Sequence, residues 1–212
     1  MEQVFITGTD TGVGKTRIAQ QMLRDKMCQG LSTVAMKPVA SGAQQGVDGV
    51  LWNEDALALM AASSLVLHYE QVNPYVFEPA IAPHIAAQQA GVEIDMAVIE
   101  DHWRAMSEQV DFALMEGVGG WQVPINLHKT MADLVKRLDI PVVLVVGLRL
   151  GCINHALLSY ESIIRSGCEC VGWVANSVEA GLVCEDEIVV TLERGIGVPM
   201  MDRIGYGVVP VP

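Results

Sequence analysis

The segment Gly8-Thr9-Asp10-Thr11-Gly12-Val13-Gly14-Lys15-Thr16 constrains this chain more than any other stretch of it. It joins the apolar run Val4-Phe5-Ile6, which has strand character, to a helical pattern that runs from Thr16 to Cys28. A glycine-rich turn points its backbone N–H groups inward, and the helix behind it begins with free N–H groups of its own. A strand that feeds a helix in this way is the opening unit of a parallel sheet with crossover helices.

The remaining pattern agrees. Further apolar runs with strand character begin near Thr33, Phe112, Val142 and Val171, with a weaker one near Pro199. Helical patterns lie between them, at Glu54 to Ala62, Ile94 to Glu108, Met131 to Leu138, Asn154 to Ser166 and Val183 to Arg194. The alternation predicts an α/β fold with three layers, α/β/α, around a mostly parallel sheet of P-loop NTPase type. No repeat, low-complexity tract or Ser- or Pro-rich linker divides the chain, so one domain is expected over residues 1–212. Ligands of such sheets sit beyond the carboxyl ends of the strands, and the candidate residues are sought there.

Composition removes several classes. Hydrophobic residues make up 51% of the 212 and the mean hydropathy is +0.34, which raises the question of a membrane span. The longest apolar run, Ile140 to Leu148, contains Pro141 and falls far short of the roughly 20 residues that cross a bilayer. Parallel strands covered on both faces account for it. Met1 and Glu2 lead directly into apolar residues with no charged leader, so a cytoplasmic location is expected. A net charge of −12 argues against nucleic acid or an anionic membrane as partner, and any nucleotide has to be held by a local device. The five cysteines form no CxxC pair; Cys168 and Cys170 are expected to alternate along a strand as small buried hydrophobes.

That device is the first loop. The backbone of Gly12, Val13 and Gly14 is expected to cradle the phosphates of ATP, with Lys15 on the β/γ-phosphates and the Thr16 hydroxyl on Mg²⁺. Five residues, not the usual four, separate Gly8 from Gly14. Lys37, followed by Pro38-Val39-Ala40-Ser41-Gly42, ends the second strand; it reads either as a surface lysine or as one that enters the crevice. Pro38 is expected to fix a turn there. Asn53 suits a helix cap, and Asp55 in the first turn reads as a helix-dipole partner or as a metal ligand. Glu116 ends the strand from Phe112 and precedes Gly117-Val118-Gly119-Gly120-Trp121, as expected for a second Mg²⁺ partner beside a close-approaching backbone.

Read in order, these segments resemble the dethiobiotin synthetase family. The pieces that carry the resemblance are Gly8-Thr9-Asp10-Thr11, Gly14-Lys15-Thr16, Lys37 to Gly42, Asp55-Ala56-Leu57, Asn73-Pro74-Tyr75 and Pro83-His84. They continue with Glu116-Gly117, Gly119-Gly120-Trp121, Gly151-Cys152-Ile153-Asn154-His155-Ala156 and Gly172-Trp173-Val174-Ala175-Asn176. The resemblance implies ATP- and Mg²⁺-dependent carboxylation and ring closure of 7,8-diaminopelargonate with CO₂ or bicarbonate, through a carbamate and its mixed phosphoric anhydride. It implies that Lys37, Lys15 and Thr11 are catalytic, that Ser41 binds substrate, and that Thr16, Asp55 and Glu116 arrange the metal. Glu116 and Gly119 would also border ATP, and Asn176 would bond the adenine edge. Gly151, Cys152 and Asn154 would bind the substrate carboxylate from the neighbouring subunit of a homodimer.

The sequence departs from that family where many members carry Glu and this chain has Gly12, and where Val118 replaces the commoner Ala. The match fades after about residue 177, Ile204-Gly205-Tyr206 stands where an adenine-covering segment is expected, and the family's terminal helix has no counterpart before Pro212. A switch ATPase of the partitioning or division-site type is the competing reading, but its second lysine would fall at Asp10. An amide-forming cobyrinate-type synthetase would need an amidotransferase domain for which 212 residues leave no room. His84 and His155 lack a second ligand at metal spacing and read as packing or hydrogen-bonding residues. Trp52, Trp103 and Trp173 are expected to pack, Trp121 to wall the substrate pocket, and Glu185-Asp186-Glu187 to form a solvated helix face.

Overall fold

The structure is a computed structural model and describes residues 1–47 and 49–208. It opens with β1 (Glu2–Gly8), α1 (Lys15–Cys28), β2 (Thr33–Met36), β3 (Val39–Ser41), β4 (Gln44–Gln45) and β5 (Leu51–Trp52). Next come α2 (Glu54–Ala61), α3 (Tyr69–Val72), β6 (Tyr75–Phe77), α4 (Pro83–Gln89), α5 (Met96–Ser107) and β7 (Phe112–Glu116). The chain continues through α6 (Met131–Leu138), β8 (Val142–Leu148), α7 (Cys152–Arg165), β9 (Cys170–Ser177), α8 (Glu185–Gly195) and β10 (Met200–Ile204).

Six of these strands form one parallel sheet in the order β10-β9-β8-β1-β7-β2. They are the six expected from the apolar runs, and the alternation along each strand explains the three layers. Val4 and Ile6 of β1, Phe112 and Leu114 of β7, and Val143 and Val145 of β8 meet Ile18 and Leu23 of α1 and Leu59 of α2 on one face. Phe5, Met115, Leu144 and Val146 meet Ile99 and Trp103 of α5, Leu134 and Val135 of α6, and Ile163 of α7 on the other. All seven residues of β8 are buried, which is why its sequence is a continuous apolar run. Among the described residues no helix is long and apolar enough to cross a membrane.

The strand order reverses at β1, whose neighbours are β7 and β8. The chain leaves β1 for one side of the sheet and crosses to the other only after β7, which opens a crevice at the carboxyl end of β1. Two small sheets, parallel β3–β6 and antiparallel β4–β5, stand beside this crevice.

Three expectations are corrected here. Pro38 does not turn the chain; it joins β2 to β3 as the backbone passes from the large sheet to the small one. Cys168 lies before β9 and is only partly buried, because the strand starts at Cys170. Glu185 is not simply solvated: it accepts from Ser177 Oγ at 2.8 Å and pairs with Arg203 at 2.9 Å, tying α8 to β9 and β10.

Candidate active site

The phosphate loop takes its shape from side chains beneath and behind it. Gly12 and Gly14 have φ of 74° and 90°, in the left-handed region that glycine enters without strain. The Val13 side chain is fully buried and sits over the strand ends. A Cβ at Gly8 would lie 2.6 Å from it and one at Gly147 2.8 Å, so glycine is required at the last position of β1 and the last but one of β8, where the loop crosses them. Asn176 Nδ2 donates to the Val13 carbonyl at 2.8 Å, and Arg17 Nη1 donates to Asn176 Oδ1 at 3.2 Å. Asp10 accepts the Thr11 N–H at 2.7 Å through one carboxylate oxygen and pairs with Arg149 through the other. Lys15 Nζ donates to the Asp10 carbonyl at 3.0 Å.

Next to the loop, four side chains from four elements converge. Lys37, 3% exposed at the end of β2, sets its Nζ 2.5 Å from Glu116 Oε1, 3.0 Å from Asp55 Oδ2 and 3.3 Å from the Gly117 carbonyl. Thr16 Oγ1 lies 2.7 Å from Asp55 Oδ1 and 2.9 Å from Glu116 Oε1. Lys37 is therefore a buried crevice lysine, and Asp55 does more than complement the dipole of α2. One hydroxyl proton cannot serve two carboxylates, and Glu116 Oε2 is buried with no partner among the described residues. Three hard oxygen donors with unused lone pairs fit Mg²⁺, which takes few protein carboxylates and leaves positions for phosphates. Among the described residues no group of three or more His, Cys, Asp or Glu is placed to hold a metal.

The two lysines are in different electrostatic states. Burial, reinforced by the charge of Lys37, lowers the pKa of Lys15 to about 8. Burial also opposes the charge on Lys37, but its ion pairs with Glu116 and Asp55 outweigh that and hold its pKa above the ordinary lysine range. Burial pushes the Asp55 carboxyl up, and Lys37 and the Thr16 hydroxyl more than reverse it, so Asp55 stays below the usual carboxylate range. Two ammonium groups thus face two carboxylates, and with Arg17 also on the lining the site carries a small positive excess inside a chain of net charge −12.

A cavity of about 770 Å³ opens above this cluster. Thr11, Gly12, Gly14, Lys15 and Thr16 line it from the loop, and Lys37, Ser41, Asp55, Glu116 and Gly119 line it from the neighbouring strand ends. Its far wall is apolar, built from Ile81, Pro83, Val123 and Pro124, none of which sequence reasoning singled out as a site residue. Isolated apolar residues in loops carry no periodic signal, so nothing marked them. Trp121 is not in this wall: it is 3% exposed, stacks edge-on against Phe5 at 6.2 Å and donates its N–H to Ser166. Packing is also what Trp52, Trp103 and Trp173 do.

Five expected site residues lie outside the cavity's lining. Val13 and Asn176 are behind the loop, with the Asn176 amide committed to the loop backbone and to Arg17. Gly151, Cys152 and Asn154 are at the start of α7, and none borders the cavity of their own chain. The Cys152 side chain is buried in the core and its N–H is taken by the Arg149 carbonyl at 3.0 Å. Gly151 has φ 90° and open space around its Cα, while Asn154 is exposed and does not cap the helix. His84 is half-buried, with a buried Nδ1 that finds no partner among the described residues, and His155 is exposed.

A family model described as an AAA domain matches residues 2–206. An ATP-dependent dethiobiotin synthetase of Pseudomonas paraeruginosa is 50% identical over 205 residues, covering 96% of this chain and 90% of the relative. Those of Cellvibrio japonicus and Vibrio vulnificus are 48% and 44% identical, over 97% of this chain and 88% and 90% of their own lengths. The chain belongs to the dethiobiotin synthetase family. Its members are ATP-using ligases that form carbon–nitrogen bonds. Likeness in structure reaches wider. The division-site protein MinD of Pyrococcus horikoshii aligns with a TM-score of 0.57 at 14% identity, over 96% of this chain and 80% of that one. A ParA-family ATPase of Chlorobium tepidum aligns at 0.53 and 14%, over 97% and 85%. At such identities only the fold is shared, so these neighbours show a P-loop NTPase fold and do not make this chain a switch ATPase.

Proposed function

We propose that the chain closes the urea ring of dethiobiotin from 7,8-diaminopelargonate, CO₂ and ATP. The observation that carries the reading is the convergence beside a phosphate loop of Lys37 and Thr16 on Asp55 and Glu116, each of the two lying 2.5–3.0 Å from both carboxylates. One substrate amine takes up CO₂ and loses a proton to become a carbamate. A carbamate oxygen attacks the γ-phosphorus and ADP leaves. The second amine then attacks the carbonyl of the mixed anhydride, and phosphate leaves as the cyclic urea forms. No protein nucleophile is needed, only positioning and charge neutralisation.

In this reading the backbone of Gly12, Val13, Gly14 and Gly119 borders the phosphates, and Lys15 and Lys37 neutralise the oxygens that gain charge. Thr11 and Ser41, both on the cavity surface, hold the carbamate and the amines. Thr16, Asp55 and Glu116 would hold Mg²⁺, which when bound supplies further neutralisation of the phosphates. Asn176 serves the nucleotide through the loop backbone it braces, and Arg17 shares that contact. The substrate's carboxylate, a long aliphatic chain away from its amines, is bound at Gly151, Cys152 and Asn154 of a second subunit, in a homodimer with shared sites. The absence of those residues from their own chain's cavity supports this. The net charge supports a partner list without nucleic acid or membrane, and use of ATP supports a cytoplasmic enzyme.

The test is phosphate release measured with each component omitted in turn. Release that needs both diaminopelargonate and bicarbonate is the expected result. Release indifferent to both belongs to a switch ATPase and sinks the reading.

A further inference from the structure

Lys37 and Asp55 come from separate stretches of chain, the end of β2 and the first turn of α2. Beneath them lies a buried polar network in which Tyr69, Asn73 and Asn53 are 6%, 2% and 7% exposed. The Tyr69 hydroxyl accepts the Asn53 N–H at 2.8 Å and donates to Asn73 Oδ1 at 2.8 Å. Asn73 Nδ2 spends its two protons on the carbonyls of Lys37 at 2.6 Å and Tyr75 at 3.2 Å. Asn53 Oδ1 caps α2 through the Ala56 N–H at 3.2 Å, two residues from the Asp55 carboxylate.

The accounting leaves no freedom. An Asn73 amide turned the other way would aim its oxygen at two carbonyls, so its orientation is fixed. A hydroxyl with one donor and one acceptor in use has one place to be, and the Trp52 ring, centred 4.6 Å from that of Tyr69, holds it there. Burial raises the Tyr69 phenol pKa, so it remains a neutral donor. The circuit closes across the top, where Lys37 Nζ meets Asp55 Oδ2. A fully satisfied network of this kind is rigid, and losing one member leaves others unpaired in low dielectric.

We infer that Tyr69, through Asn73 and Asn53, is a positioning residue that sets the distance between the Lys37 ammonium and the Asp55 carboxylate. The effect on turnover rests on the function proposed above; the placement of Lys37 does not. Tyr69→Phe keeps the ring and its contact with Trp52 and removes only the hydroxyl. Two readouts are taken. The first is the ¹⁵N resonance of the Lys37 ammonium, which needs no substrate: it shifts or broadens in Tyr69→Phe, and Lys15 serves as the internal control. The second is kinetics. In Tyr69→Phe, kcat falls about tenfold, as sub-ångström misplacement of a catalytic group does, while the KM for ATP stays within about twofold. In a Lys37→Ala background the same substitution costs no further activity, because the group it positions is gone. An unchanged Lys37 resonance, or a loss of kcat equally large in the Lys37→Ala background, overturns the assignment. Should the parent chain fail to turn over diaminopelargonate, the function proposed above falls, and the resonance alone decides the role of Tyr69. If Tyr69→Phe does not fold, Asn73→Ser, which deletes the bond to Lys37 from the other side, is read by the same resonance and overturns the assignment if it leaves it unmoved.

Discussion

Two lysines of one site, Lys15 and Lys37, are held in opposite electrostatic states, and each state makes a prediction. Lys37 is locked in its charged form by two carboxylates, suited to a charge that develops during reaction. Lys37→Ala is expected to retain ATP binding in calorimetry while kcat drops on the order of 10²–10³-fold; a near-normal kcat with only a raised KM would show that it merely binds nucleotide. Lys15 titrates near 8 in the folded chain and near 10.5 in the unfolded one. Between those values the unfolded chain holds the proton and the folded chain does not, so this group's contribution to stability grows as pH rises through the window and is least favourable below about 8. Phosphates beside Lys15 raise its pKa again, so ATP binding above that pH takes up protons. Calorimetry in buffers of different ionisation enthalpy should detect the uptake and should lose it in Lys15→Gln. At Glu116, whose Oε2 has no protein partner, substitution by Gln is expected to preserve the fold and raise the Mg²⁺ concentration needed for half-maximal rate. An unaltered Mg²⁺ dependence would remove Glu116 from the metal's environment.

At the scale of elements, the phosphate loop rests on the sheet partly through the contact of Val13 with β8. Gly147, the last residue but one of β8, passes under Val13, and a methyl group there would fall 2.8 Å from Val13 Cγ1. Gly147→Ala should therefore destabilise by about 1–3 kcal/mol and weaken ATP binding as the loop is lifted. Adding Val13→Ala should recover part of both in denaturation and titration experiments; purely additive losses would mean that the loop does not rest there. The contrast also explains what was legible in the sequence. The six long strands and the helices between them announce themselves by periodicity, and the phosphate loop by nine contiguous residues. Glu116 and Asp55 were half legible, as acids at a strand end and a helix start, because position narrows a role without naming partners. The small β3–β6 and β4–β5 ladders, of two or three residues each, are too short to show a period. The Asp10–Arg149 pair joins residues 139 apart and the Asn73–Lys37 bond residues 36 apart, and no local pattern encodes such meetings. Trp121 was misjudged for the same reason: a loop tryptophan next to glycines says nothing about whether Phe5 lies beneath it.

At the scale of the molecule, an acidic chain keeps a pocket with a small positive excess for an anionic ligand and carries its α7 start away from that pocket. If subunits complete each other's sites as proposed, two inactive variants should rescue one another. Lys37→Ala and Gly151→Trp, mixed and allowed to exchange subunits, should give heterodimers with one intact site and partial activity. An active monomer in sedimentation, or mixed dimers that recover nothing, would refute shared sites. The Asp10–Arg149 ion pair then acquires a meaning that neither residue has alone. Asp10 belongs to the phosphate loop of one catalytic centre, whereas Arg149 leads into the helix that, in the proposed dimer, would receive the tail of the substrate held in the other. In such a two-fold assembly each pair would lie between the two centres, where a strut is expected to make tail affinity at one centre depend on nucleotide occupancy at the other.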